Sequence, residues 1–275
     1  MEINRSNIND IVNNSNARPD KDYGQNFLVE PEVCKRIVNS ASLLKDENVL
    51  EIGPGLGSLT HFISQLSDHL TVVDIDERMI AFLNLIYKDS VNIVQDDIRN
   101  HDVSSYQKII GNLPYNITSE TIVYLLMNAV NAKKIVLMIQ SDAYPHFSDV
   151  QGKEYGPSSV LLHLLGEPKK LFQVKAGSFY PVPKCGSTVF EINIANKCEL
   201  EEAKQVYVLT KKLFLNRRKT IANNLQAVVQ NKELVNQILD NSNILPTKRP
   251  EEISPLNYLN LYRVFKTLYY KSNIE

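Results

Sequence analysis

Between residues 48 and 139, short apolar runs suited to strands alternate with stretches whose apolar residues recur every three or four positions. That alternation implies one class of architecture, a parallel α/β sheet with crossover helices on both faces. The strand-like runs are Asn48–Ile52, Leu70–Asp74, Val91–Val94, Lys108–Gly111 and Lys134–Ile139. The helical ones are Leu59–Leu66, Met79–Tyr87 and Ser119–Val130, preceded by Pro31–Leu44, where Val33, Ile37, Val38, Ala41 and Leu44 keep helical spacing. Beyond about residue 195 the strand signals stop, and 199–215, 217–229, 232–239 and 254–268 all read as helices. The expected organisation is a flexible arm over residues 1–20, an α/β domain over 21–196 and a small all-helical domain over 197–275.

Composition excludes several classes. No apolar run approaches the ~18 residues that span a bilayer; Ile135–Ile139, for one, is strand-sized. The first twenty residues are polar and Asn-rich, unlike a secretory signal. Cys34, Cys185 and Cys198 are scattered, which argues against a disulfide framework and against structural zinc. The expectation is a cytoplasmic protein with no membrane and no metal partner. Net charge is -1, but residues 51–195 carry -4 and residues 196–275 carry +5. This asymmetry fits either a helical lobe that faces a polyanion or an ordinary solvated face.

Glu51-Ile-Gly53-Pro-Gly55-Leu-Gly57 opens straight after a strand. A turn this rich in glycine lets the backbone pass close to a ligand at the carboxyl edge of the sheet. Its GxGxG spacing is not the GxGxxG of a pyrophosphate cradle, and Pro54 removes one amide donor. Glu51 disfavours phosphate and suits a ligand bearing an amino group. These features favour S-adenosylmethionine over NAD, with a purely structural turn as the plain alternative. Asp74 ends the next strand, where a carboxylate can accept both ribose hydroxyls. Asp76 fits a helix cap, and one carboxylate of Asp96-Asp97 could accept the exocyclic amine of an adenine. Taken alone, either acid is as readily a cap or a surface charge.

Gly111-Asn112-Leu113-Pro114-Tyr115-Asn116-Ile117 ends another strand. The exocyclic amine of adenine is a poor nucleophile because its lone pair is delocalised into the ring. Two carbonyls that accept its hydrogens favour a pyramidal, nucleophilic nitrogen. An aromatic face beside them stacks the base and favours a nearby sulfonium methyl. Pro114 stiffens the turn holding Asn112 and Tyr115 together. In isolation such a sequence is also an ordinary Asn-Pro turn.

These residues, with Gly24-Gln-Asn-Phe-Leu28, Phe179-Tyr-Pro-Val-Pro-Lys184, Phe214-Leu-Asn-Arg-Arg-Lys-Thr220 and Arg249-Pro-Glu-Glu-Ile-Ser254, resemble the ribosomal RNA adenine N6,N6-dimethyltransferases over roughly residues 20–268. The form Asn112-Leu-Pro-Tyr-Asn-Ile117 is similar to the kasugamycin-resistance type, which acts on small-subunit rRNA. The resemblance implies a class I S-adenosylmethionine-dependent methyltransferase (Rossmann-like) domain, with a seven-stranded sheet and one antiparallel strand. It also implies a small all-α rRNA-facing domain.

Carried over by position, it places Gln25, Asn26, Leu28, Glu51, Gly53, Gly55, Gly57, Asp74, Ile75, Asp97, Ile98 and Asn112 around the methyl donor. Asn112, Leu113 (through its backbone), Tyr115 and Phe179 fall around the target adenine, Phe179 stacking opposite Tyr115 unless it is a core aromatic. An adenine in folded RNA must be extruded to be reached, and stacking of ~1–3 kcal/mol per base offsets part of that cost. Lys211, Lys212, Arg217, Arg218 and Lys219 fall to RNA phosphates, unless they are a solvated helix face. The implied partners are small-subunit rRNA and a pre-30S particle, bound by a monomer.

Two segments depart from the family pattern. Gln140-Ser-Asp-Ala143 and Tyr155-Gly-Pro157-Ser-Ser each lack a basic residue, which bears on RNA contacts rather than on methyl transfer. A large-subunit dimethyltransferase of the macrolide-resistance type shares the chemistry. A non-catalytic ribosome-assembly factor would keep the fold but lose Asn112, Tyr115 or the glycine turn, and all are intact.

Overall fold

A computed structural model describes residues 1–15, 17–20, 23–114 and 116–272. The central sheet has seven strands: β1 (Asn48–Ile52), β2 (His69–Asp74), β3 (Asn92–Gln95), β4 (Lys108–Asn112), β5 (Lys134–Gln140), β6 (Gly166–Val174) and β7 (Ser187–Ile194). Their spatial order is β3-β2-β1-β4-β5-β7-β6. The pairings from β3 through β5 are parallel, and β7 runs antiparallel to β5, with Ile135 opposite Ile192 and Met138 opposite Val189. The reversal of strand order beside β1 lies between β1 and β4, where Leu50 registers with Ile109 and Ile52 with Gly111. That is the topological switch point at which open α/β sheets form their ligand crevice. The strands are apolar because both faces are covered; Val49, Leu50, Val72, Ile109, Ile110, Val136 and Leu137 are fully buried.

The chain divides into two compact units, one of residues 1–144 with 168–194, the other of 145–167 with 195–275. The helical unit therefore does not start only near residue 196. It includes Pro157–Leu165, a helix whose Val160, Leu161, Leu162 and Leu164 are wholly buried. Leu200–Leu213 and Pro255–Ser272 pack against it, and Ile221–Val229 and Lys232–Asn241 complete the unit.

The start of the chain also differs from the expected arm. Ile8–Asn14 is a helix, and Ile3, Ile8, Val12 and Ala17 are buried in one cluster with Phe27, Val29, Leu56, Met79 and Phe82. Burial of four apolar side chains outweighs the weak helix propensity of the surrounding asparagines. Phe27–Leu28 pairs with Phe179–Tyr180 in a two-stranded antiparallel ribbon, Leu28 opposite Phe179.

Candidate functional site

β1 delivers the glycine turn to the carboxyl end of the sheet, where a cavity of about 310 Å³ opens. Gln25, Asn26, Leu28, Glu51, Gly53, Gly55, Asp74, Ile75, Asp97, Ile98, Asn112 and Leu113 all line it. One wall of the turn is tight and left-handed: at Gly55 (φ +55) an added Cβ would sit 3.0 Å from the Phe27 ring. The Gly55 N–H donates to Asp74 Oδ2 at 3.3 Å, tying the turn to the end of β2. Gly57, expected beside the ligand, is not on the cavity. A Cβ there would meet Leu83 at 3.0 Å and Tyr87 at 3.2 Å, so this glycine serves the close packing of helix Glu77–Tyr87.

Two acids at the cavity are nearly desolvated. Glu51 is 1 % exposed and accepts the Thr60 hydroxyl at 2.6 Å. Burial pushes it up to about 8, against that hydrogen bond. Burial likewise lifts Asp74 to about 6, although it accepts N–H groups from Asp76 at 3.0 Å and from Gly55. Both groups suit a ligand that brings a cation or hydroxyl donors and replaces lost solvation.

Asp97 is held differently. Arg99 grips it through its backbone N–H (3.0 Å), Nε (2.9 Å) and Nη2 (2.6 Å), and this guanidinium keeps the carboxyl below the ordinary range. Arg99 Nη1 continues to Glu120, 2.6 Å away, on the helix Thr118–Asn128. Arg99 itself lines the cavity. It lies outside the expected set, and a charge two residues past the acid is the one signal that could have found it. Tyr23 also joins the lining unanticipated, while Asp96, the other acid of the expected pair, lies on it beside Asp97, as do Gly24, Asn116 and Ile117 of the two flanking motifs.

At the end of β4, Asn112 Nδ2 donates to the Asn26 carbonyl at 3.2 Å. The amide is thereby oriented with its oxygen as the remaining acceptor. Leu113, 1 % exposed, donates its N–H to Met138 of β5 at 3.0 Å, which anchors the corner. The Pro114 carbonyl accepts the Thr118 hydroxyl at 3.0 Å as the next helix begins. Tyr115 lies outside the described residues. Phe179, expected on the far side of a stacked base, is instead buried at 2 % exposure in the core cluster with Leu28, Leu59 and Val189, and is absent from the cavity lining. Its ribbon pairing with Leu28 turns the ring inward.

In the helical unit Lys211, Lys212, Arg218 and Lys219 are exposed. Arg217 through Lys219 precede the helix, which starts at Ile221 with Thr220 as its cap, so the expected helix from Arg217 is shorter. Arg217 is committed within the unit: Nη2 donates to Gly152 O at 3.1 Å, Nε lies 3.8 Å from Glu251, and the guanidinium stands 5.7 Å over the Phe214 ring. Of the departing segments, Pro157 occupies the first turn of Pro157–Leu165 after Gly156, where a proline fits. Tyr155 is fully buried, edge-on to Phe214.

Among the described residues no group of three His, Cys, Asp or Glu could hold a metal ion, and no helix is long and apolar enough to cross a membrane. A model of the ribosomal RNA adenine dimethylase family matches residues 4–266. The ribosomal RNA small subunit methyltransferase A of Metamycoplasma arthritidis is 35 % identical over 89 % of this chain and 95 % of its own. The protein so named in Ureaplasma urealyticum is 31 % identical over 99 % of this chain and 100 % of its own. Among solved structures, a dimethyladenosine transferase from Plasmodium falciparum superposes with TM-score 0.75 at 22 % identity, covering 88 % of this chain and 98 % of that one. The 23S rRNA methyltransferase ErmE gives 0.68 at 21 %, covering 88 % and 100 %. At these identities the two structures establish the shared fold.

Proposed function

Because this chain belongs to the ribosomal RNA adenine dimethylase family, we propose that its substrate is small-subunit rRNA and that the cavity residues divide its chemistry between methyl donor and target adenine. The protein is an S-adenosylmethionine-dependent rRNA adenine dimethyltransferase of class I fold. The small-subunit choice follows the names of the relatives at 30 % identity and above, which match along nearly their whole length. On this reading the adenosines lie near the 3′ end of the RNA, the enzyme acts as a monomer on a pre-30S particle in the cytoplasm, and the exposed Lys211, Lys212, Arg218 and Lys219 contact phosphates.

The donor fits the residues present. A turn with Gly53 and Gly55 at positive φ admits close approach, and the two desolvated carboxyls at Glu51 and Asp74 call for polar partners. When bound, S-adenosylmethionine supplies an electrophilic methyl on a sulfonium. Glu51 holds the amino group of the donor's amino-acid tail. Asp74 accepts the ribose hydroxyls. Asp97, kept ionised by Arg99, accepts the donor's adenine amine.

Around the target, the Asn112 carbonyl and the Leu113 backbone carbonyl accept the two amine hydrogens. This draws the lone pair out of conjugation. No strong base is needed, since the nitrogen becomes acidic only after it has taken the methyl. Tyr115 stacks the extruded base.

The observation that carries this reading is the convergence of Glu51, Asp74, Asp97 and Asn112 on one cavity from four successive strand ends. The test is incubation of the purified protein with labelled S-adenosylmethionine and unmodified small or large ribosomal subunits. Label is expected in small-subunit rRNA, with primer-extension stops at adjacent adenines near its 3′ end. Label confined to large subunits would replace the substrate assignment.

A further inference from the structure

Asp76 is 2 % exposed and does not line the donor cavity, yet its two oxygens gather four donors. Oδ1 accepts the backbone N–H and Nε of Arg78 at 3.0 and 2.9 Å. Oδ2 accepts Arg78 Nη2 at 2.6 Å and Gln25 Nε2 at 2.8 Å. Burial opposes the charge, and the bonds from Arg78 and Gln25 overcome it, holding the carboxyl below its ordinary range. Arg78 reaches on to Asp20 at 3.3 Å. Asp20 in turn donates its N–H to Gln25 Oε1 at 2.9 Å and accepts the Gln25 N–H at 3.1 Å.

Gln25 lines the cavity, but both ends of its amide are engaged by the protein, the oxygen by Asp20 and the nitrogen by Asp76. The chain before it is tied down independently. Ile3, Ile8 and Val12 are buried, the amino terminus donates to the Tyr87 hydroxyl at 3.1 Å, and Arg5 pairs with Glu30 and the Gly177 carbonyl. The helix after Asp76 would be capped by any short oxygen-bearing side chain. A carboxylate that also captures Gln25 and Arg78 does more than cap.

We propose that Asp76 is a positioning residue for the methyl-donor site: through Gln25 and Arg78 it fixes the Tyr23–Leu28 segment as one wall of the cavity, and so sets donor affinity rather than the rate of methyl transfer. Preorganisation is the physical reason. A wall already ordered in the free protein adds no ordering cost to binding, whereas an unheld one must be immobilised by the ligand. This rests on the assignment of the cavity to S-adenosylmethionine.

The test separates capping from positioning. Asp76→Ser keeps an oxygen for the Arg78 N–H but is too short to hold Gln25 and the guanidinium. It is expected to weaken binding of both S-adenosylmethionine and S-adenosylhomocysteine about tenfold by calorimetry, with kcat at saturating donor within about twofold. Exchange of the Gln25 backbone amide should accelerate in the free protein. Gln25→Leu should cost a similar factor, and the double variant no more than the worse single, because one latch is broken twice.

Wild-type donor affinity in Asp76→Ser, multiplying losses in the double variant, or a fall in kcat at unchanged affinity each overturns the proposal. If Asp76→Ser loses its helical circular dichroism, Asp76→Asn, which keeps size and cap, takes its place under the same criteria. Failure of the unaltered protein to bind S-adenosylmethionine instead overturns the site assignment, before any variant is compared.

Discussion

Asn112 donates its side-chain N–H to the backbone carbonyl of Asn26, 3.2 Å away and 86 positions earlier in the chain. The bond joins the corner assigned to the target base to the segment assigned to the donor, and it leaves the Asn112 oxygen as the acceptor. Removing that oxygen should affect the transfer step above all. Asn112→Ala is expected to lower kcat by roughly 10²–10³-fold, the cost of deleting one preorganised polar group at a reacting centre, while donor affinity changes only a few-fold. Single-turnover rates and donor calorimetry decide it; equal losses in both would contradict the division of roles.

Glu51 gives the free protein an unusual pH profile. Its folded value, raised by burial to about 8, exceeds its ordinary 4.5, and Asp74 is raised to about 6. An acid raised in the fold contributes stability that is complete below its unfolded value and is lost as pH rises through the folded one. The thermal midpoint of the donor-free protein should therefore decline between about pH 4 and pH 8. Glu51→Gln should flatten that decline and weaken donor binding together. Placing the donor's ammonium against Glu51 should also release a proton near neutral pH, measurable by calorimetry in buffers of different ionisation enthalpy. A flat native profile with no proton release would remove Glu51 from this role.

Gly55→Ala tests the turn. Its left-handed φ of +55 and the 3.0 Å approach to Phe27 make any Cβ unwelcome. The variant should lose about 1–2 kcal/mol of stability and bind the donor more weakly than the native protein. A variant as stable as the native one would show that the turn relaxes.

The basic residues of the helical unit should separate into two groups. Neutralising Lys211, Lys212, Arg218 or Lys219 should weaken rRNA binding and reduce the slope of log affinity against log salt by about one for each phosphate no longer neutralised. Arg217→Ala should instead lower stability, since it removes the ties to Gly152 and Glu251. Filter binding across a salt series, beside thermal unfolding, distinguishes them; a full salt-slope change for Arg217→Ala would return it to the RNA-facing group.

Much of the site was legible because parallel strands bring consecutive carboxyl ends to one edge, so Glu51, Asp74, one acid of the Asp96-Asp97 pair and Asn112 follow from strand spacing, and the family resemblance singles out Asp97. Most of what the sequence concealed depends on long-range burial. Ile8, Ile11 and Val12 keep helical spacing, but the asparagines among them mask it, and only packing on Leu56 and Met79 makes the segment a helix. Phe179 sits in a family-like motif, yet pairing with Leu28 sets where its ring goes. Gly57 belongs to a glycine-rich run whose chemistry suggests a ligand, while its neighbour is a helix. Arg99 escapes a reading by pattern because a surface arginine carries no periodic signature.

The helical unit draws on two separate stretches, 145–167 and 195–275, so the polypeptide passes from one unit to the other three times. A swap of helical units between enzymes of this kind cannot be made with a single crossover near residue 196. It would strand the leucines of Pro157–Leu165 with a foreign companion. Recombination, natural or engineered, has to move both pieces at once, and the two stretches are therefore bound to change in concert.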